Sequence, residues 1–386
     1  MNSSMKTYLQ ASLRLIVVAT SLSILIWAKP SSGAVEYNVV DLGTFGGTVT
    51  ESASINTRGE VVGYSTTGDS TQRAFLYDGA IHDLGPPSGV PSRAYGINAT
   101  GQVTGVISGH TFLYDGTTVH DLGTLGGLDS AGYAINSSGA ITGWLSTGTL
   151  PTGSSVEHAF LYDGTTHDLG TLGGLISKGL GINDAGQVTG WSTYILSDGD
   201  AISRTHAFLY DSTGMHDLGT LGGGASEGHG INASGQITGI ANLSIGQQHA
   251  FFYDGTVHDL GTLGGPAYYS DGNGINDLGV VVGVSQAGNF GAAFRWTSGD
   301  GMVDLNSLID PHSGWYLSTA TAINNSGQIT GFGYLNPPNI HAFLLTPVPE
   351  PPTFALAALG AATLYLVRRA QAQQKAPQAL HQQGWY

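Results

Sequence analysis

Between residues 36 and 346 the chain is written in short apolar runs broken by Gly, Asn and Asp, and the runs recur. HAFLYDGTTHDLGTLGG at 158–174 returns as HAFFYDGTVHDLGTLGG at 249–265. Alternate residues of a strand take opposite faces, so His249, Phe251 and Tyr253 share one face and Ala250 and Phe252 the other. Both faces are substantially apolar. Both must be covered, which an open single sheet does not achieve.

Three markers set the period. Asp-Leu begins at Asp41, Asp83, Asp121, Asp168, Asp217, Asp259 and Asp304, with spacings of 42, 38, 47, 49, 42 and 45. Ile-Asn-x-x-Gly begins at Ile55, Ile97, Ile135, Ile182, Ile231, Ile275 and Ile323. The HAF-like run supplies Phe75, Phe112, Phe160, Phe208, Phe251, Phe294 and Phe343. Each unit reads as four strands. After Gly174, KGLGIN leads to a turn at Asn183–Gly186, with Asn first and Gly fourth as a type I turn prefers. QVTGWS, a variable loop, HAFLY, a tight turn and HDLG follow. Asp254-Gly255 predicts a two-residue type I′ turn, which places Phe251 opposite His258 and Tyr253 opposite Thr256.

Seven such units predict an all-β fold, a seven-bladed β-propeller of four-stranded antiparallel blades. A parallel β-helix is the main rival, and the tight Asp-Gly hairpins argue against it. An open array is the second. The phase of the repeat favours closure. VEYNVVDLG precedes the first complete unit, and the last unit (TATAIN, QITGFGY, HAFLL) lacks its fourth strand. Residues 36–43 are therefore expected to form the outer strand of the last blade.

The ends read as addresses. Lys6 and Arg14 precede the 14-residue apolar run LIVVATSLSILIWA, and Ser32 and Ala34 suit the −3 and −1 positions of a signal cleavage site. The expected organisation is a signal helix at 1–34, the propeller at 35–347, a sorting or anchor segment at 348–369 with a short apolar helix, and a polar disordered tail at 370–386. In the third segment Pro349, Glu350 and Pro351 precede 15 uncharged residues, Thr353–Val367, and then Arg368 and Arg369. That is short for a spanning helix, which takes about 17–25 residues. This pattern resembles the PEP-CTERM sorting signal of Gram-negative bacteria. The resemblance implies an exosortase-type processing enzyme as partner, membrane contact through the C-terminal segment before processing, and export alongside an exopolysaccharide programme. The HAF, DLGTLGG and INxxGQxxG words over 36–346 resemble the HAF-repeat family of bacterial extracellular proteins, whose repeats define no activity. The unit with AAFRW at 292, followed by VDLNSLIDPHSGWYLSTATAIN, resembles the variant last unit of such proteins.

Composition narrows the chemistry. The 386 residues include 60 Gly and no Cys, which removes disulfides, thiolate catalysis and Cys-based zinc sites. From Glu36 to Glu350 there are six basic against 27 acidic residues, a net charge of −21. Nucleic acid, which needs a basic face, is not an expected partner. Ten of the 13 His fall in two slots of the unit: 110, 158, 206, 249 and 341 in the HAF slot, and 82, 120, 167, 216 and 258 before Asp-Leu. A catalytic triad is needed once, whereas this constellation recurs with the fold, so a structural polar network within each blade is the expectation. No catalytic residue and no metal ligand is assigned, and no cofactor is expected. Calcium is the one metal that the acids and compartment would suit, with Asp198 and Asp200 in LSDGDAIS as its nearest match. GTLGG lacks the Lys and following helix of a phosphate loop and reads as an interblade bend.

Function is expected in what does not repeat, above all the loops between second and third strands at 145–157, 192–205 and 332–340, with Tyr194, Tyr334, Asn336 and Asn339. The sequence assigns no binding residues. The expected role is a non-catalytic binding or structural one in the envelope or extracellular matrix, with exopolysaccharide or an envelope protein as partner. The alternatives are an extracellular polysaccharide-acting enzyme and a calcium-dependent adhesion protein.

Overall fold

The computed structural model describes residues 36–348 except 87–88, 150–152, 154, 196–202, 267, 289 and 336–337. The expected signal helix with Ser32 and Ala34, the sorting residues Pro349, Glu350, Pro351, Arg368 and Arg369, and Asp198 and Asp200 lie outside the described residues. Among those described, the only helix is a single 3-10 turn, Leu305–Leu308, in the variant unit. No described helix is long and apolar enough to cross a membrane.

The described residues are all-β. Five separate four-stranded antiparallel sheets begin at Ser92, Ser130, Ser177, Gly222 and Ser270. In the third, Ser177–Ile182 pairs with Val188–Ile195, then with Ser203–Asp211, then with Gly214–Asp217. The remaining strands form one eight-stranded sheet. Its two halves, Gly46–Asp83 and Trp315–Pro347 with Tyr37–Asp41, are joined by a single parallel bridge, Val49 to Ile340. Tyr37–Asp41 pairs with Ile340–Pro347, as the phase of the repeat required. His341 Nδ1 meets the Asp41 carboxylate at 3.0 Å, and Tyr37 and Leu42 are buried.

Why these words recur is visible in the packing. The seven HAF-slot Phe rings are all buried to 1% exposure or less. The core lies between neighbouring units: Ala159 and Leu169 of one pack with Val188 and Phe208 of the next. Buried Ser residues staple the same seam. Ser177 Oγ accepts from the Ala159 N–H (2.8 Å), and Ser130, Ser226 and Ser270 repeat the bond to residues 111, 207 and 250. Buried Thr189 donates to the Phe208 carbonyl within its own sheet (2.9 Å). Such pairing is what lets polar groups sit in the interior at little cost.

Two local expectations need correction. The hairpin register is shifted by one: Phe251 faces Asp259, Phe252 faces His258, and Tyr253 faces Val257. A type I′ turn needs positive φ at both central residues. Here only Gly255 has it, at 116°. The loop therefore holds three residues, and the Asp254 carboxylate meets His258 Nε2 at 2.8 Å. The His–Asp pairs are also not one buried network. Those in the slot before Asp-Leu are exposed rim pairs, such as His167 with Asp163. The HAF-slot His instead meet the Asp of Asp-Leu, as His206 meets Asp217 at 2.8 Å.

Candidate functional site

The site is built from the innermost strands. Each carries a register shift at the same place, leaving one residue extra: Ala53, Tyr95, Tyr133, Leu180, His229, Asn273 or Thr321. The Thr-Gly word of the second strand holds this bulge. A Cβ on Gly190 would stand 1.8 Å from the Lys178 carbonyl, and one on Gly105 2.0 Å from that of Arg93. Bulges re-aim side chains, and here all seven extra residues line an axial cavity of about 310 Å3. They are the least repeated residues in the most repeated segment.

Two residues earlier a second tier varies as freely: Glu51, Arg93, Ala131, Lys178, Glu227, Asp271 and Thr319. Opposite them on the second strands stand Tyr64, Val106, Trp144, Trp191, Ile240, Val284 and Phe332. The register places them all at one end of the axial cavity, its mouth. A further cavity of about 380 Å3 opens there between Glu51, Tyr64, Arg93, Tyr95, Asn273, Thr319 and Phe332.

The mouth is electrostatically divided. On one side the Arg93 guanidinium lies 4.6 Å from the Tyr64 ring centre, and Lys178 lies 4.5 Å from that of Trp144 and 5.7 Å from that of Trp191. Lys178 also pairs with Glu157 at 2.8 Å. Tyr95 and Tyr133 meet edge to face at 4.9 Å, and Trp144 Nε1 donates to the Tyr133 hydroxyl (3.1 Å). Burial and the nearby Glu51 carboxylate push the Tyr64 hydroxyl up to about 12. On the other side His229 Nδ1 stands 3.0 Å from Asp271 and its Nε2 3.7 Å from Glu227. Burial opposes a charged His229, but the two carboxylates outweigh it and raise its pKa to about 10. The Tyr269 hydroxyl donates to Asp271 Oδ2 (3.1 Å), and burial together with that carboxylate raises its pKa well above the usual phenol value.

The opposite end carries a uniform ring. Asn56, Asn98, Asn136, Asn183, Asn232, Asn276 and Asn324 each donate Nδ2 to the next Asn carbonyl, and Asn324 donates to Asn56. The seven bonds span 2.9–3.2 Å and close on themselves. This ring is why Ile-Asn is invariant along the chain. The cup above it, about 220 Å3, is lined by Ile and Asn from every unit and by the residue after each Asn, which varies from Ala99 to Asp184. A cavity of about 770 Å3 lies between the outer strands of the first two units. Its acids are already engaged, Asp78 by His82, Asp83 by Arg73 and Asp121 by His110.

The antiparallel order puts the described strand ends that flank the variable loops, at Thr149 and Ser155, Ile195 and Ser203, and Leu335 and Ile340, at the same end as the mouth. Glu157, from one of them, reaches Lys178. Tyr194 packs on His206 at 4.4 Å, Tyr334 is exposed, and Asn339 is half-buried. Asn336 lies outside the described residues. Among the described residues no three His, Asp or Glu side chains are placed to hold a metal ion. The mouth residues themselves escaped the sequence reading. Their signal was present: before the word x-Gly-Ile-Asn, itself preceded by Gly or Ala, the units carry Arg93, Lys178, Glu227 and Asp271, four different side chains beside a nearly constant word.

The β-propeller is the class of fold this architecture resembles. The β-propeller domain of the Trilobed protease from Pyrococcus furiosus, described as having an open velcro topology, matches with a TM-score of 0.50 at 9% identity, over 81% of this chain and 94% of that one. In the present chain, by contrast, the N-terminal strand joins the last unit. TolB from Acinetobacter baumannii matches at 0.42, 12% identity, 62% of this chain and 61% of that one. A mutant Aleuria aurantia lectin in complex with Fucα1-6GlcNAc matches at 0.39, 15% identity, 66% and 94%. Residues 347–369 match the PEP-CTERM protein-sorting motif, one residue from the expected boundary. That motif is the recognition signal for exosortase processing, and it marks the chain as exported and sorted to the cell envelope. No curated protein matches the chain.

Proposed function

We propose that this is a seven-bladed propeller of the HAF-repeat type that acts at the cell surface or in the extracellular matrix as a non-catalytic binding protein. Its ligand site is the axial mouth, and an extracellular polysaccharide is the ligand class. The seven-membered Asn ring and the strand Tyr37–Asp41 on the last unit support the blade count and closure. The observation that carries the binding role is the convergence of unrepeated side chains at one mouth. Fold maintenance needs the same residue in every unit, as at the buried Phe positions. A ring of Tyr64, Trp144, Trp191 and Phe332 interleaved with Arg93, Lys178, Glu51 and Asp271 is asymmetric, and asymmetry serves an asymmetric ligand. Aromatic faces stack on the apolar faces of sugar rings, and the polar groups fix their hydroxyls.

The test is co-sedimentation of the full chain with the producing organism's exopolysaccharide, following polymer length. Each aromatic contact of this kind contributes about 0.5–1.5 kcal/mol. Trp191→Ala is expected to weaken binding roughly 3–10-fold. His167→Ala, on the outer rim, is expected to leave it unchanged. Equal binding by Trp191→Ala and wild type refutes the site. Shortening of the polymer replaces this reading with the enzyme.

A further inference from the structure

We infer that the cavity at Arg93 selects a carboxylate-bearing sugar, a uronic acid unit of the polysaccharide; this rests on the proposed binding role of the mouth. Cations are scarce between Glu36 and Glu350, and four of the six are matched to carboxylates: Arg58 to Glu60, Arg73 to Asp83, Lys178 to Glu157 and Arg295 to Glu36. Arg204 adjoins the undescribed stretch 196–202. Arg93 makes no ion pair among the described residues, although the surrounding region carries a net charge of −21. It is nonetheless held rigidly. Its Nε donates to Gln72 Oε1 (2.8 Å), and its face lies on the Tyr64 ring. The side chain lines the cavity beside the Tyr95 hydroxyl, and its Nη atoms pair with no carboxylate among the described residues. A fixed, planar guanidinium edge is the group that recognises a carboxylate through two parallel hydrogen bonds.

The rest of the cavity fits a sugar better than a bare anion. Glu51 lines it beside Arg93 and would repel an ion that offers no donor, while accepting hydrogen bonds from sugar hydroxyls. Phe332 and Tyr95 supply apolar surface for a ring face, and Thr319 and Asn273 add neutral polar groups. A uronic acid presents all the complementary parts at once: a planar carboxylate, hydroxyl donors and an apolar ring face.

The experiment is calorimetric titration of the full chain with an oligogalacturonate and with the same oligomer after reduction of its carboxylates. The acidic form is expected to bind at least about tenfold more tightly, in line with a charge-assisted bidentate contact. Arg93→Gln is expected to erase the preference with the melting temperature unchanged. Arg93→Lys, which keeps the charge but not the fork, is expected to retain only part of it. Equal binding of the two oligomers, or no binding of the acidic one at millimolar concentration, overturns the inference. The binding role itself is judged separately, and falls if Trp191→Ala leaves co-sedimentation with the native polymer intact or if the polymer is shortened.

Discussion

Replacing Asn183 by Ala removes a buried side chain with four assigned hydrogen bonds. Its Nδ2 donates to Gln187 Oε1 (2.8 Å) and to the Asn232 carbonyl (3.1 Å). Its Oδ1 accepts from the Ala185 and Gln187 N–H groups (3.1 and 3.0 Å). Gln187 is half-buried and can turn to water, whereas the Asn232 carbonyl loses a partner that water replaces poorly. One buried unsatisfied acceptor costs about 1–3 kcal/mol, and each of the two turn bonds contributes about 0.5–1.5 kcal/mol. The expected loss is therefore about 2–6 kcal/mol. Asn324 has the same set: Gln328 Oε1 at 2.8 Å, the Asn56 carbonyl at 2.9 Å, and the Ser326 and Gln328 N–H groups at 3.0 Å. Its partner, however, lies 268 residues away. If the ring closes in solution, Asn183→Ala and Asn324→Ala lose equal stability within about 0.5 kcal/mol. Urea unfolding of the full chain, with the slope unchanged, measures both. A cost at Asn324 below half of that at Asn183 refutes closure, because the last Asn would then have been donating to water.

Two further outcomes follow from the geometry. Deleting Val35–Gly43 removes Tyr37 and Leu42 from the core and leaves His341 without Asp41. At about 1.5–3 kcal/mol for each buried apolar side chain, the melting temperature should fall sharply; an unchanged melt refutes the role of this strand. His229 sets a pH dependence. Its pKa is raised from 6.5 to about 10 on folding, so its contribution is complete below about pH 6.5 and is lost as pH rises through about 10. Wild type should lose more stability than His229→Gln between pH 7 and pH 10 in parallel denaturant titrations, and parallel curves would refute the assignment.

The period, the phase and the N-terminal closing strand were legible because each is written seven times or is missing once. A word such as HAF announces a buried Phe wherever it occurs. The hairpin register was not legible, since Asp-Gly is compatible with loops of two or three residues and a shift of one moves every side chain to the other face. The bulge was hidden for the same reason. Nothing in SKGLGIN says that Leu180 is the extra residue; the close approach of Gly190 to the Lys178 carbonyl decides it. The mouth was missed because repetition draws attention to Phe, His and Asp, which maintain the fold. The informative residues were those at which the repeat breaks: Arg93, Lys178, Glu227 and Asp271.

The central claim, that the axial mouth is where this exported propeller meets its ligand, is tested most directly by hydroxyl-radical footprinting of the full chain with and without the producer's exopolysaccharide. Protection is expected at Tyr64, Trp144, Trp191 and Phe332, with no change at Leu278, which is 78% exposed on a turn at the Asn-ring end. Bound polymer that leaves the four aromatic residues as reactive as before, or that protects Leu278 instead, would contradict the account.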